Sequence, residues 1–455
     1  MMRRGGGLRM CCAVLVAAAL CGSGEAAASS RHPSWHQPVA AAPVATAPGG
    51  IPVAVGARVE ASGGTTRLVV DLGAGVAIVP VLTEAPDRLI IDMPEVNFQV
   101  DPVAGHLPAG GTGLIRAFRF GLFAPGRSRI VADLAGPAAI RRAEVASIAG
   151  GAASRFTVEL APTDRAAFRA AVRPPQPAPP RPDDRAASTA RDARPVIVLD
   201  PGHGGLDPGA TGLGGVLEKD VVLRFAAALA ARLEAGGRYR VVSTRTGDSF
   251  VSLGDRVRVA RDADAALFIS VHADSLSDGS VAGATVYTAS DRASDGEAAR
   301  VAATENEADA AAGVDEAPKA ADVSDILFDL TRRETRTYAH QFQRTLTGYW
   351  AKVARLNRNP ERAAGFKVLQ APDVPSVLLE LGYLSSGQDA RAMDSPEWRA
   401  RTVDGVAGAV DAFFADRGGP AGASPASAQT HAPTMAPTQA PTPAPSPAPG
   451  PAAMR

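Results

Sequence analysis

Two histidines and a glutamate in this chain have the side-chain types and the settings of an open metal site. His203 follows the apolar run Val196-Ile-Val-Leu199 and enters a glycine-rich loop, Gly202-His-Gly-Gly205, while His272 closes a second apolar run, Leu267-Phe-Ile-Ser-Val271. Glu218 lies between them, with 14 and 53 residues separating the three. A catalytic zinc takes three nitrogen or oxygen ligands from the protein and keeps a fourth position for water or substrate. Either histidine alone could be a polar residue at a sheet edge; two imidazoles on matching strand ends favour metal. The other five, His32, His36, His106, His340 and His431, have no comparable setting. A further carboxylate, Glu380, interrupts the apolar run Pro375-Ser-Val-Leu-Leu-Glu-Leu-Gly-Tyr383. An unpaired buried carboxylate is costly, so Glu380 must face a cavity, an arginine or a metal-activated water. The last setting would make it a general base and then a general acid.

These residues need a scaffold that ends several strands at one place. Apolar runs at 196–199, 239–244, 266–271, 284–288 and 376–381 read as buried strands alternating with helical patterns. The first helix, over 220–235, places Val222, Phe225, Leu229 and Leu233 on one stripe, and the second opens at Ser252-Leu-Gly-Asp255 with a capping signal. The alternation predicts an α/β fold, which gathers its ligands at the carboxyl ends of its strands.

The segments Asp200-Pro-Gly-His-Gly-Gly205, Glu218, Ser270-Val-His-Ala273 and Pro375-Ser-Val-Leu-Leu-Glu-Leu-Gly382 resemble the zinc-dependent N-acetylmuramoyl-L-alanine amidases of bacterial cell-wall turnover, over residues 195–417. The resemblance implies a three-layer α/β domain with a mostly parallel sheet and helices on both faces. It implies His203, Glu218 and His272 as ligands of one zinc ion and Glu380 as the catalytic glutamate. The reaction expected is hydrolysis of the amide between N-acetylmuramic acid and L-alanine of peptidoglycan, in wall remodelling and daughter-cell separation. A zinc peptidase acting on the stem peptide would use the same metal chemistry. A two-carboxylate glycosidase would work without metal, and a non-catalytic wall-binding protein would lack Glu380.

Residues 50–165 read as a small all-β sandwich, because short alternating strands are separated by Gly, Pro and Asp turns. Arg67-Leu-Val-Val-Asp-Leu72 recurs as Arg129-Ile-Val-Ala-Asp-Leu134, and Arg88-Leu-Ile-Ile-Asp92 is echoed by Arg155-Phe-Thr-Val-Glu159. This part resembles the AMIN module that precedes such amidases and implies localisation on peptidoglycan; a generic β-domain with a stability role is the other reading. Arg116, Arg119, Phe120, Phe123, Arg127 and Arg129 lie close together as a candidate binding face, though alternation sends some of them inward.

Zero formal net charge, and basic residues that are almost all arginine without interleaved aromatics, argue against a nucleic-acid partner. Arg3, Arg4 and Arg9 precede an apolar run from Met10 to Leu20, the layout of a cleaved secretory signal over 1–28. That run is too short to favour a permanent membrane anchor. A periplasmic enzyme is therefore expected. Cys11, Cys12 and Cys21 all fall in the signal, leaving the exported protein without thiols. Residues 166–194 read as a proline-rich linker and 418–455 as a disordered tail rich in Pro and Ala.

One insertion stands apart. Residues 291–330 carry eleven acidic and three basic side chains. Beside a zinc site, such a segment could fold back and place a carboxylate at the open coordination position. The division amidases that the chain resembles carry an inhibitory helix there, released by an activator protein. Glu305 is the candidate plug, with Glu307 close behind; a solvated surface helix is the competing reading.

Overall fold

The computed structural model describes residues 51–151, 153–175, 192–314 and 326–417, and of 326–330 the backbone alone. The segments read as signal peptide and tail, the proline-rich core of the linker and residues 315–325 of the acidic insertion lie outside the described residues. No helix among the described residues is long and apolar enough to cross a membrane.

The N-terminal region is a β-sandwich. Its strands are β1 (Val53–Ser62), β2 (Thr65–Leu72), β3 (Val79–Thr83), β4 (Arg88–Pro94), β5 (Asn97–Phe98), β6 (Ile115–Ala124), β7 (Arg127–Leu134), β8 (Ala138–Ile148) and β9 (Ala153–Pro162). One sheet has the order β5-β1-β2-β9-β8 and the other β3-β4-β7-β6. Leu68, Val70, Phe156 and Val158 of the first sheet meet Leu89, Ile91, Ile130 and Ala132 of the second in a single buried core. The sequence echo has a structural meaning here. In the first sheet Arg67 and Asp71 stand opposite Glu159 and Arg155, and in the second Arg129 and Asp133 stand opposite Asp92 and Arg88. Each sheet thus carries two cross-strand ion pairs, at 2.6 and 2.5 Å in the first and 2.6 and 2.8 Å in the second. Such pairs fix register as well as adding modest stability. Helix α1 (Arg165–Ala171), at the start of the stretch read as linker, packs a fully buried Phe168 into the sandwich core. One large apolar side chain is enough to draw those residues out of the linker and onto the sandwich.

The C-terminal region is a three-layer α/β structure. Its strands are β10 (Val196–Pro201), β11 (Arg240–Ser243), β12 (Leu267–His272), β13 (Ala284–Ala289), β14 (Leu356–Ala364) and β15 (Ser376–Glu380), in the order β11-β10-β12-β15-β13-β14. All neighbours are parallel except β13 and β15. Because side chains alternate along a strand, Ile197, Leu199, Ile269 and Leu379 face one layer, formed by α2 (Glu218–Ala235), α6 (Ile326–Trp350) and α8 (Pro396–Ala415). Val196, Val198, Phe268 and Leu378 face the other, which holds α3 (Leu253–Asp262) and α4 (Gly296–Glu305). The expected stripe Val222, Phe225, Leu229 and Leu233 is buried, and Ser252 caps α3 by accepting the Asp255 amide. Strand β14 is the unforeseen element. Its Asn357-Arg-Asn-Pro-Glu-Arg362 has no apolar run, which an edge strand tolerates. Two short helices, α5 (Ala308–Ala311) after α4 and α7 (Gly387–Asp394) before α8, complete the α-helices of this region among the described residues.

Candidate metal centre

The strand ends of β10 and β12 deliver the two histidines to one point. The His203 backbone has φ +56°, a left-handed conformation uncommon outside glycine, and is followed by Gly204 and Gly205, also at positive φ. Strain of this kind persists only where the surroundings over-determine it, and here two buried arginines do so. Arg256 donates to the carbonyls of Pro201 and His203 at 2.8 Å each, and Arg245 donates to those of Pro201 and Gly202 at 3.0 and 2.7 Å. Arg256 is itself neutralised by Asp200, 2.7 Å away, which also accepts from Thr244 and Ser270.

Glu218 begins α2 and is fully buried; its oxygens accept from the amides of Ala210 and Ala273 at 2.9 and 2.8 Å. Parallel pairing sets Glu380, the last residue of β15, beside His272 in register. Glu305, at the end of α4, enters from the insertion. His203, Glu218, His272 and Glu305 are all buried, and each offers one donor atom within 4.8 Å of the others. His203 Nε2 lies 3.1 Å from Glu218 and 3.4 Å from Glu305; His272 Nδ1 lies 3.2 and 3.0 Å from the same two carboxylates. Glu307 is exposed, as are His106 and His340.

The donor set fits a divalent cation. His203 Nε2 is buried without a hydrogen-bond partner although Glu218 and Glu305 oxygens lie 3.1 and 3.4 Å away, as expected of an atom aimed at a shared centre. Glycines clear the space: a Cβ at Gly202 would stand 2.3 Å from the His272 ring, and one at Gly209 2.6 Å from His203 and 2.7 Å from Glu218. Electrostatics agree. Burial opposes charge on His203, yet Glu218, Asp207 and Glu305 hold its protonated form well above the ordinary range. His272 is likewise pushed up to about 10 against its burial, chiefly by Glu305 and Glu218. Burial raises Glu380 well above the usual carboxylate range, with Glu218, Asp274 and Glu305 adding to it against the pull of His272. Asp274 is driven up to about 7 by burial and then by Glu218 and Glu305. Five acids, Asp207, Glu218, Asp274, Glu305 and Glu380, crowd two imidazoles, a concentration of carboxyl groups that a divalent cation would stabilise.

Sequence reasoning passed over the supports. Asp207 Oδ2 lies 2.9 Å from His203 Nδ1 and leaves Nε2 facing the other donors. Carboxylate partners of this kind orient a metal-binding imidazole, and their loss costs about 10–100-fold in metal affinity. Asp207→Asn is therefore expected to weaken metal binding by about 10–100-fold, read by chelator competition; an unchanged affinity would remove Asp207 from the site. Its spacing, an acid four residues after the histidine on a glycine-rich loop, was the available signal. Asp274, which donates its amide to Glu380 Oε2 at 3.1 Å, follows His272 directly by two positions and could have been found the same way.

Comparison with known proteins gives this geometry a context. Residues 197–412 match the N-acetylmuramoyl-L-alanine amidase family and residues 56–159 the AMIN domain. The chain is 31% identical over 377 residues to the N-acetylmuramoyl-L-alanine amidase AmiC of Neisseria meningitidis serogroup B, covering 79% of this chain and 89% of that protein. It is 29% identical over 382 residues to AmiC of Escherichia coli O6:H1, covering 80% and 89%. The solved structure of the amidase AmiC2 of Nostoc punctiforme aligns with 49% of this chain and 97% of its own at 27% identity and a TM-score of 0.35. The two AmiC relatives bear the amidase name and do not favour a stem-peptide peptidase. With an AMIN match ahead of the catalytic match and both AmiC proteins aligned across most of their length, the chain belongs to the N-acetylmuramoyl-L-alanine amidases, hydrolases of peptidoglycan.

Proposed function

We propose that this amidase is held in a self-blocked state: His203, Glu218 and His272 are the ligands of one zinc ion, Glu380 is the general base and acid, and Glu305 is a plug. The observation that carries this reading is the approach of Glu305 Oε2 to 3.0 Å from His272 Nδ1 and 3.4 Å from His203 Nε2. Three protein ligands leave a working position open, whereas four close a tetrahedral site. When bound, zinc would supply a Lewis acid for the scissile carbonyl and lower the pKa of water toward ~7.

The chain's own residues supply the rest. Asp207 holds the His203 ring so that Nε2 faces the site, and Arg245 and Arg256 hold the loop that carries it. The Asp274 amide fixes one Glu380 oxygen and leaves the other, buried and unpartnered, to handle protons. Glu380 takes a proton from the attacking water and returns it to the nitrogen leaving with L-alanine. Its pKa, raised by burial, makes it a stronger base than an ordinary carboxylate.

The plug segment is built into the fold. Arg362 pairs with Glu297 at 2.7 Å and Asp295 at 3.5 Å at the start of α4, while Asn306 donates to Gly365 and accepts from the Lys367 amide at its end. Withdrawal therefore needs a ligand that binds the withdrawn state more tightly, and we assign that role to an activator protein. Export to the periplasm is supported by Arg3, Arg4 and Arg9 ahead of the apolar run Met10–Leu20.

Deleting 291–330 is expected to raise basal turnover, but it also removes the buried Val301 and Ala302. Glu305→Ala is the cleaner test. Basal hydrolysis of peptidoglycan by the purified zinc-loaded chain should rise tenfold for each ~1.4 kcal/mol by which the blocked arrangement is favoured. Unchanged turnover with zinc retained would refute the plug.

A further inference from the structure

We propose that the second sheet of the AMIN domain is the docking surface for the segment that carries the plug, so that this domain holds Glu305 in place. The inference rests on the plug reading above. Three arginines of that sheet reach the backbone at the end of α5, the short helix that follows α4. Arg88 on β4 donates to the Ala310 carbonyl, Arg119 on β6 to Ala311 at 2.6 Å, and Arg129 on β7 to Ala312 at 3.1 Å and Gly313 at 3.5 Å. Carbonyls at and just beyond a helix C-terminus lack the amide four residues on that would continue the helix, so side-chain donors suit them.

The arginines are pre-aimed by their own acids. Asp133 holds Arg88 and Arg119 at 2.8 and 3.1 Å, and Asp92 takes two hydrogen bonds from Arg129 at 2.6 and 3.0 Å. The Arg129 guanidinium also lies 3.6 Å from the Phe123 ring centroid.

Apolar contact completes the surface. Ile90, Phe123 and Val131 of the sandwich form one buried cluster with Ala312 of the segment and with Leu206 and Phe250 of the catalytic domain. A Cβ on Gly313 would stand 2.5 Å from the Ile90 side chain. Leu206 belongs to the loop between His203 and Asp207, and the Phe250 amide donates to the Leu122 carbonyl at 3.1 Å. A Cβ on Gly121 would meet the Leu206 nitrogen at 2.5 Å, so backbone packs on backbone there. One face of the sandwich thus touches both the plug segment and the metal-ligand loop. The equivalent arginines of the first sheet, Arg67 and Arg155, remain 47% and 39% exposed.

The test uses the full zinc-loaded chain with Arg88→Ala/Arg119→Ala, Gly313→Leu and Glu305→Ala, the first two loosening the contact from opposite sides. Arg129 is left intact because removing it would strand buried Asp92. Both loosening variants should speed hydrogen exchange of amides 301–314 and raise basal turnover about fivefold or more. Adding either to Glu305→Ala should raise turnover no further. If Glu305→Ala activates while both loosening variants leave exchange and turnover at wild-type values, the docking proposal is overturned and the plug stands. If Glu305→Ala fails to activate, the plug falls; unchanged exchange in the loosening variants would then overturn the docking as well.

Discussion

Glu380→Gln is expected to lower turnover on peptidoglycan by about 10²–10⁴-fold, the range attributed to a positioned general acid–base. The substitution isolates proton transfer. Gln is close to isosteric with Glu, and its amide oxygen can still accept the Asp274 N–H that now binds Glu380 Oε2. What disappears is the ability of the second oxygen, buried and without a partner, to take and return a proton. Glu380 is not one of the four residues whose donor atoms cluster, so zinc content should stay at the wild-type level. The paired measurement is kcat for release of stem peptides alongside elemental analysis. A kcat within about threefold of wild type would rule Glu380 out as the proton carrier, given the size of effect expected. Loss of zinc would reassign it to the ligand set.

His272→Ala should do the reverse: zinc is lost first, and turnover falls to that of chelated enzyme. The loss in metal affinity should exceed the about 10–100-fold cost of removing a mere supporting partner. The folded structure should survive. His272 is the last residue of β12, whereas Leu267, Ile269 and Val271 of the same strand are buried in the core against α2, α6 and α8. Chelation of the wild-type protein should likewise abolish turnover while far-ultraviolet circular dichroism keeps its native form. Zinc retained at wild-type affinity in His272→Ala, or full activity after chelation, would contradict the ligand assignment and favour metal-free chemistry.

Much of the catalytic layer was legible because its signals are local. A buried parallel strand needs a continuous apolar run, so β10, β12, β13 and β15 stood out, and the polar residues ending β10, β12 and β15 were conspicuous. Strand β14 was not visible, since an edge strand with one neighbour needs no such run. Asp207, Arg245 and Arg256 were missed for another reason. A polar residue in a loop or on a helix looks solvated until the fold brings it to a particular carbonyl or ring nitrogen.

The acidic insertion shows the limit most clearly. Its charge and its place after β13 are sequence properties; which of its carboxylates lies among the histidines is not. Glu305 is buried because it shares the side of α4 that packs Ala298, Val301 and Ala302 on the sheet, whereas Glu307 lies beyond the end of that helix, at the start of α5, and is exposed.

The repeated Arg-to-acid spacing in the sandwich divides the two kinds of information in one motif. By itself the sequence determined that the arginine and the acid of each echoed segment, as in Arg67–Asp71 and Arg129–Asp133, share one face of their strand, because a four-residue spacing spans two side-chain periods. Only the tertiary structure decided that Arg67 and Arg155 meet water while Arg88 and Arg129 meet the carbonyls at the end of α5. The two sheets carry nearly the same local message, and what differs is the surface that packing brings against each, a property of contacts far apart in the chain.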